Sequence, residues 1–284
     1  MTGLILAGLS AVFGGVSVAV TKAGMGKADV YWVNALSNTI ILLMFAFAAV
    51  SFGSADQWRL IESWPLLAAS GFFLGISWIF YYLGLKDGPV GPVLALQNLS
   101  IIMTMVLSGV VLKEHISGFM AVGAALMGLG TVLMTERTEK TEMSAGRRWI
   151  AYEVLSAACI SISFVLTKLD TSPVDSNLSS TVRYLIVAAM MWGLYLAKGK
   201  RGGAEGILGG DLLKITAGAV LLGGGYILFY KALAIADASV VTTIFRMSMI
   251  LSAVLSAVFL GETMTGKKKA GLGIMAVGLV LYVL

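Results

Sequence analysis

The chain contains one apolar pattern twice, in residues 66–134 and again in residues 214–282. Upstream of these copies, a shift of 146 positions aligns Lys22 with Lys168. A duplicated apolar unit predicts a pseudo-symmetric bundle whose functional site lies between the two halves. Within the copies, a shift of 148 positions aligns Gly75 with Gly223, Tyr82 with Tyr230, Ser100 with Ser248, Glu114 with Glu262, Gly118 with Gly266, Gly123 with Gly271, and Gly130 with Gly278.

The composition places both copies in a membrane. Of 284 residues, 58% are hydrophobic and only 12% are charged, about half the charged fraction of a soluble domain. The 34 glycines and 4 prolines favour closely packed transmembrane helices over flexible linkers. Cys159 is the single cysteine and His115 the single histidine, so neither a disulfide nor a multi-histidine metal site is expected. We therefore predict an integral membrane protein of a bacterial or archaeal inner membrane, without a metal or cofactor.

Ten apolar stretches are each long enough to cross a hydrocarbon core of about 30 Å. Five spans per half is an odd number, so the second half enters the membrane from the opposite side, and the repeat is inverted. The predicted fold is all-α, with a first repeat at 1–136, a charged linker at 137–148 and a second repeat at 149–284. The predicted spans are 3–21, 30–52, 65–85, 90–112, 117–135, 149–167, 178–197, 212–233, 238–260 and 267–284.

Basic residues are distributed unequally between the loops. The loops after spans one, three, five, seven and nine hold 14 lysines and arginines, and the other loops hold 4. Because positively charged loops stay in the cytoplasm, this bias predicts that the first group is cytoplasmic and that both termini are outside.

The repeated segments resemble the EamA-type unit of the drug/metabolite transporter superfamily. The resemblance rests on residues 82–89 and 112–118, and on the better-matching residues 230–234 and 259–266 of the second half. It departs from the pattern at Lys113, where the second half has a glycine. The resemblance implies ten helices in two five-helix halves. It also implies a secondary carrier of small organic molecules such as amino acids, nucleotide-related metabolites or toxic compounds.

A polar pair inside the membrane is the strongest candidate for a substrate site. Arg246 lies in the ninth span beside Thr242 and Thr243, and the repeat aligns it with Asn98, which follows Gln97 in the fourth span. A charge in the bilayer interior costs at least about 2.5 kcal/mol, and repeat-related polar positions mark the substrate sites of inverted-repeat carriers. Since a guanidinium group suits a carboxylate or phosphate, we expect these residues to bind an anionic or zwitterionic cargo. An interhelical hydrogen-bond anchor is the alternative.

Further polar and aromatic side chains extend this predicted substrate site. Asn38 lies in an unusually polar stretch of the second span, which favours a face that lines water or substrate. Trp78 and Tyr82 of the third span, and Tyr230 of the eighth, either wall a cavity or belong to interfacial aromatic belts.

Two other charged residues lie inside predicted spans. Arg183 is about one turn into the seventh span, and we expect it to be a gate or a structural partner of Asp175 or Glu262. Glu153 lies one turn into the sixth span, where a carboxyl group can exchange a proton for cargo. A neutralised pair with Arg148 near the surface is the favoured interpretation.

Lysines and glutamates recur at the span ends. Lys22 and Lys168 end their spans in matching places, as interfacial anchors or as residues that close opposite faces. Glu114 and Glu262 open the fifth and tenth spans, where carboxylates stabilise helix N-termini. The lysines are therefore gating candidates, and the glutamates have a structural role.

A transporter explains the duplication better than an enzyme or a channel does. No aspartate or catalytic constellation lies within a span, no ring of like charges is present, and no phosphate-binding loop supplies ATP chemistry. We therefore predict an alternating-access carrier whose partners are a small-molecule substrate and the lipid bilayer, not nucleic acid. Export of amino acids or related carboxylates is the preferred activity; a carrier of cationic drugs or of nucleotide-related metabolites is the alternative. The sequence leaves both a monomer and a homodimer open.

Overall fold

A computed structural model describes residues 2–26, 28–51, 57, 64–113, 116–134, 148–169, 175–199, 209–235, 238–261 and 264–283. Within these ranges, the side chains at 168, 230, 233–234, 238–243, 246 and 283 are not described.

The described chain forms ten helical spans, as the apolar stretches predict. The fourth span is divided into α4, α5 and a π-helical turn at Ser108–Leu112, while each of the others is one helix. The helices are α1 (Thr2–Met25), α2 (Val30–Ser51), α3 (Trp64–Asp87), α4 (Val90–Gln97), α5 (Leu99–Leu107), α6 (Gly118–Met134), α7 (Arg148–Leu169), α8 (Ser176–Ala197), α9 (Gly209–Ile235), α10 (Ala238–Phe259) and α11 (Gly266–Val283).

The second helix of each half begins with the same cap. The Asp29 carboxylate accepts hydrogen bonds from the backbone N–H groups of Tyr31 at 2.9 Å and Trp32 at 3.3 Å. The Asp175 carboxylate accepts one from the N–H of Asn177 at 2.8 Å. A side-chain acceptor at this position satisfies amides that have no partner within the helix. The two aspartates are 146 residues apart, so the repeat extends to helix capping.

The bundle has an apolar outside and a polar inside. Seven of the described spans, with the fourth taken as one unit from Val90 to Leu112, are long and apolar enough to cross a membrane. Phe47 and Phe259 on the outer surface are 74% and 75% exposed, whereas Asn34 and Asn98 in the interior are 1% exposed. A soluble protein rarely leaves so many large apolar side chains in water. This distribution is that of an integral membrane protein.

The packing of α6 on α11 shows that the repeat is inverted. A Cβ atom on Gly123 would lie 2.6 Å from the Gly278 carbonyl oxygen, and one on Gly271 would lie 2.8 Å from the Gly130 carbonyl oxygen. Residue numbers rise along α6 as they fall along α11, so these repeat-related helices are antiparallel. Glycine permits this close approach because it carries no side chain. The predicted fold, with two inverted five-helix repeats, is confirmed.

The two halves interlock through crossed helix pairs. α1 of the first half packs on α9 of the second, and its repeat counterpart α7 packs on α3. α2 and α8 pack on each other along the pseudo-twofold axis. We call the end of the bundle where α1 stops and α2 starts end A, and the opposite end B. Residues from both halves therefore line the interior.

Candidate functional site

The fourth span breaks at Asn98. The Asn98 backbone N–H is shared between the carbonyl oxygens of Leu94 at 3.3 Å and Ala95 at 3.2 Å. The Asn98 carbonyl accepts from the N–H of Ile101, three residues on, in the pattern of a tighter 3₁₀ turn. A 3₁₀ turn within a helix often marks a functional hinge. The sequence predicted a continuous span here, and the break is a finding of the structure.

Asn98 is buried without hydrogen-bond partners for its side chain. It is 1% exposed, and neither amide atom is bonded to any described residue; the Oε1 atom of the neighbouring Gln97 is also unpaired. Asn98 faces a small cavity that is lined by Met134 of α6, Met249 of α10 and Met275 of α11. Because a buried unpaired amide costs about 1–3 kcal/mol, this position favours a polar ligand or a water molecule.

The other half of the predicted polar pair lies on α10. The helical backbone of Arg246, Thr242 and Thr243 is described, but their side chains lie outside the described part of the chain. The same is true of Tyr230 on α9. Their predicted roles stay predictions, supported by the position of α10 beside α4 at the axis of the bundle.

An aromatic cluster lies beside the axis on α3 and α9. The Trp78 ring centroid is 5.5 Å from that of Tyr81, with the planes at 82°, and 5.7 Å from that of Tyr82. Tyr226 of α9 packs against the same buried cluster, and its ring centroid is 5.6 Å from that of Phe245 of α10, with the planes tilted by 41°. Trp78 and Tyr82 are 8% and 3% exposed. Interior burial of these two rings agrees with a cavity wall and excludes an interfacial belt.

Two asparagines of α2 join this aromatic cluster. Asn34 Nδ2 donates to the Trp78 carbonyl oxygen at 3.1 Å, and Asn38 Nδ2 donates to Asn34 Oδ1 at 2.5 Å. Asn38 Oδ1 has no partner among the described residues. The polar stretch of α2 therefore faces the interior, as predicted, and leaves one acceptor available.

Glu153 is the fully buried acidic side chain of α7. It is 0% exposed, and neither carboxyl oxygen has a hydrogen-bond partner among the described residues. The predicted pair with Arg148 is absent, because Arg148 is exposed at the start of the helix. Five residues on a helix span about 140° beyond one full turn, so the two side chains point to different faces. Glu153 interacts electrostatically with Tyr81 of the aromatic cluster.

Arg183 bonds to a neighbouring helix near end B. Its Nη2 atom donates to Ser163 Oγ of α7 at 3.2 Å, while its Nε has no partner among the described residues. The predicted partner Asp175 caps its own helix instead, and Glu262 lies outside the described residues. Arg183 therefore ties α8 to α7 through a serine that the sequence did not single out.

Lys22 joins α1 to α3 at end A. Lys22 Nζ donates to the carbonyl oxygens of Leu85, Lys86 and Gly88 at the end of α3, the last two at 3.1 Å. This amine stabilises the negative end of the α3 dipole. The side chain of Lys168, its repeat counterpart, lies outside the description, as do Glu114 and His115.

The sequence missed a second contact at end A. Lys198 Nζ lies over the Tyr31 ring, 3.6 Å from its centroid, and so connects the end of α8 to the start of α2. The repeat aligns Tyr31 with Asn177 and Lys198 with Phe52, so the second copy of this position lacks the cation. A search for repeat-aligned positions at helix ends that differ between the two copies would have identified Tyr31 and Lys198 as candidates.

The described residues offer binding groups but no metal site. No group of three histidine, cysteine, aspartate or glutamate side chains within the described ranges is placed to hold a metal ion. Amides, phenols, one indole and one carboxyl group instead surround the axis between the halves. Such a set binds a small polar or aromatic organic molecule.

Comparison with known proteins agrees with this architecture. The sequence pattern of the EamA-like transporter family matches residues 1–136 and again residues 147–284. An uncharacterized transporter in the cobO 3'region of a Sinorhizobium species is 28% identical over 131 residues, which cover 44% of this chain and 91% of that protein. One crystal structure superposes with a TM-score of 0.71 at 16% identity, covering 98% of this chain and 96% of the other, so it shares the fold.

Proposed function

Because this chain belongs to the EamA-like transporter family, we propose that it is an alternating-access secondary carrier that exports amino acids or related carboxylates. The observation that carries the proposal is the break in the fourth span at Asn98, whose buried amide is unpaired beside α10. A polar ligand at this position relieves the cost of the unpaired groups. Inverted repeats permit the site to open to each side of the membrane in turn.

Arg246 is the proposed anchor of the cargo carboxylate. It occupies on α10 the position that Asn98 occupies on the fourth span. A guanidinium group binds a carboxylate through two parallel hydrogen bonds, with a geometry that an ammonium group lacks. Gln97, Thr242 and Thr243 supply further hydrogen-bonding groups next to the pair.

Aromatic and amide side chains form the proposed wall of the cargo site. Trp78 and Tyr82 are buried beside Asn38, and Tyr230 corresponds to Tyr82 in the repeat. Since these groups come from both halves, one chain holds a complete site. We expect the protein to work in this form in the inner membrane of a bacterium or archaeon.

Glu153 is the proposed coupling group. Its carboxyl can carry a proton in one state and release it in another, and Tyr81 of α3 is the titratable side chain that interacts with it. α4 and α5, which also pack on α7, contain no titratable residue. Lys22, Lys168 and Arg183 are the proposed gating residues, because Lys22 and Arg183 bond to another helix near opposite ends of the bundle and Lys168 is the repeat counterpart of Lys22.

Exchange in proteoliposomes tests the cargo site. Purified protein should exchange internal and external amino acids from a labelled mixture of the twenty L-amino acids, and Arg246→Ala should lower that exchange at least about tenfold. Arg246→Lys is the matched control, since it keeps the charge and loses the bidentate geometry; we expect an intermediate rate. Unchanged exchange by a folded Arg246→Ala variant would remove Arg246 from the site.

A pH gradient tests the coupling. In the same vesicles, Glu153→Gln should keep a reduced exchange at equal pH and lose the accumulation that a pH gradient drives. Accumulation equal to that of the unmodified protein would show that Glu153 does not carry the coupled proton.

A carrier of organic cations is the second candidate function. It is favoured by Glu153, a buried carboxyl group that lies next to aromatic rings. For such a carrier, Arg246→Ala should leave the uptake of an organic cation intact, and the amino acid mixture should not exchange.

A further inference from the structure

Glu153 lies at a position where the two halves differ in a matched way. Its carboxyl group packs against the backbone of Gly84 on α3, so closely that a Cβ atom at Gly84 would overlap it. The repeat aligns Glu153 with Ala7 and Gly84 with Ala232. Ala7 and Ala232 are both 0% exposed and pack together between α1 and α9.

The Glu153–Gly84 and Ala7–Ala232 contacts are both closely packed, but one contains a carboxyl group and the other only methyl groups. At the α1–α9 interface, two methyl groups fill the space between crossed helices. At the α3–α7 interface, a glycine takes the place of the opposite methyl group and leaves room for the longer carboxylate side chain. Interiors are densely packed, and an added side chain without such compensation would strain the helices. The α3–α7 interface therefore has a space, opposite Gly84, that the Glu153 carboxyl group fills.

The surroundings of this carboxyl group suit a cation. Tyr81 lies one turn before Gly84 on α3, its ring lies 5.7 Å from that of Tyr82, and Tyr226 packs against the same buried cluster. Aromatic faces carry negative potential and bind ammonium groups, as carboxylates do. Divalent metal ions need several further oxygen ligands, and the described residues supply no second carboxylate here. An organic ammonium group is the ligand that this set fits.

We propose that Glu153, together with Tyr81 and Tyr226, forms a subsite that binds the amine group of the cargo. This inference rests on the proposed function and deepens it: Arg246 holds the carboxylate, and Glu153 requires that the same molecule carry an amine. The carrier therefore selects amino acids over hydroxy acids of the same carbon skeleton. Glu153 is closed off in this conformation, and the partly buried Tyr81 ring has to move for an amine to reach it.

Paired substrates test the subsite in proteoliposomes. The probe is the amino acid that the unmodified protein exchanges best from a labelled mixture of the twenty, compared with the 2-hydroxy acid of the same skeleton. We expect the amino acid to be preferred at least about tenfold, the effect of one charge-assisted hydrogen bond. Glu153→Gln should bring the ratio close to one while exchange of the hydroxy acid continues.

The outcomes separate this inference from the function on which it rests. Equal exchange of both substrates by the unmodified protein overturns the amine subsite and leaves a carboxylate carrier in place. A preference that survives Glu153→Gln also overturns the subsite. Failure to exchange any amino acid overturns both proposals.

Gly84 gives an independent route to the same result. Gly84→Ala should displace the carboxyl group and reduce the amine preference, whereas Ala232→Gly at the matching position should leave the preference unchanged. The double variant Glu153→Ala, Gly84→Ala recreates the alanine pair of the α1–α9 interface, so we expect it to fold and to lose the preference. An unchanged preference in that double variant would contradict the subsite.

Discussion

The α3–α7 and α1–α9 interfaces are two copies of one helix pair, yet different interactions hold them together. Between α3 and α7, Ser163 Oγ donates to the Ser70 carbonyl oxygen at 2.7 Å, and Ser156 Oγ donates to that of Ser77 at 2.9 Å. These serines on α3 and α7 form hydrogen bonds from helix to helix. The α3–α7 interface therefore contains polar contacts at two levels along its length.

Between α1 and α9 the same positions are held by close backbone approach. Gly218 and Gly225 replace Ser70 and Ser77, and a Cβ atom on Gly225 would lie 3.2 Å from the Ser10 carbonyl oxygen. The α1 serines bond within their own helix: Ser10 to Ala7 and Ser17 to Gly14, each at 2.7 Å. The two repeat-related interfaces thus have the same helix geometry, but α3–α7 is more polar than α1–α9.

The difference shows where functional chemistry is concentrated. The polar interface contains Glu153 and contacts Arg183, whereas the glycine-packed interface contains the alanine pair. A polar group at an interhelical seam needs nearby donors and acceptors, which serines provide. Because α1–α9 is the repeat counterpart of α3–α7, a substitution in α3–α7 can be compared with the one at the matching position in α1–α9.

The largest effect is expected from adding volume to the glycine-packed interface. A Cβ atom added at Gly218 would overlap Thr21 Oγ1, and it would lie 3.0 Å from the Ser17 carbonyl oxygen. Gly218→Val should lower the free energy of unfolding by about 3 kcal/mol or more, since a packed backbone contact cannot yield. Thermal unfolding in detergent, followed by tryptophan fluorescence, measures the loss.

The matched control for Gly218 is Ser70 on α3. Ser70→Ala keeps the Cβ atom and removes a hydroxyl group, so we expect a loss below about 1 kcal/mol. Equal melting temperatures for Gly218→Val and Ser70→Ala would contradict the distinction between the two interfaces.

A smaller effect is expected from removing one interhelical hydroxyl group. Ser163→Ala loses the bond to Ser70 and leaves Arg183 Nη2 without its acceptor, which should cost about 1 kcal/mol of unfolding free energy. Ser17→Ala removes a bond within α1 alone and should cost less than about 0.5 kcal/mol. The same melting experiment compares the two. A larger loss of unfolding free energy for Ser17→Ala than for Ser163→Ala would contradict the conclusion that α3–α7 is the interface held by hydrogen bonds.

The smallest effect is expected at end A, where α2 and α8 are joined by a cation–π contact that the repeat does not duplicate. Tyr31→Leu removes the ring beneath Lys198, and Tyr31→Phe keeps it. An exposed contact of this kind is worth about 0.5–1 kcal/mol, so Tyr31→Leu should open end A about two- to fivefold more often.

Cysteine labelling measures this opening. With Cys159→Ser as background, a Ser37→Cys variant places a thiol in the interior near end A. Its alkylation by a water-soluble reagent should accelerate with Tyr31→Leu and stay unchanged with Tyr31→Phe. Equal rates for the two Tyr31 variants would show that the contact with Lys198 does not hold end A closed.

Much of the fold could be read from local sequence. The largest difference between predicted and observed span limits is four residues, at the end of α1, which was predicted to stop at 21 and stops at Met25. Hydropathy and capping act within a few residues, so the sequence records them directly. The break at Asn98 escaped prediction because no glycine or proline marks it.

The candidate site was only partly predictable. Repeat alignment identified Asn98, and their charge within predicted spans identified Glu153 and Arg183. The structure buries Asn98 and Glu153 in the interior and leaves Arg183 partly buried near end B. Their neighbours could not be predicted in the same way, since Gly84 is 69 residues from Glu153 in the sequence. The contact of Arg183 with Ser163 likewise depends on how α7 and α8 both pack against α3.

By itself, the sequence determined the number of spans, their inverted arrangement and the positions at which the two halves differ. These follow from apolar length, from an odd count per repeat and from alignment, all of which are properties of the chain alone. Only the tertiary structure decided that Glu153 contacts Gly84 in place of Arg148. The reason is geometric: helix rotation sets the face on which a side chain lies, and the crossing of α3 and α7 sets what that face meets.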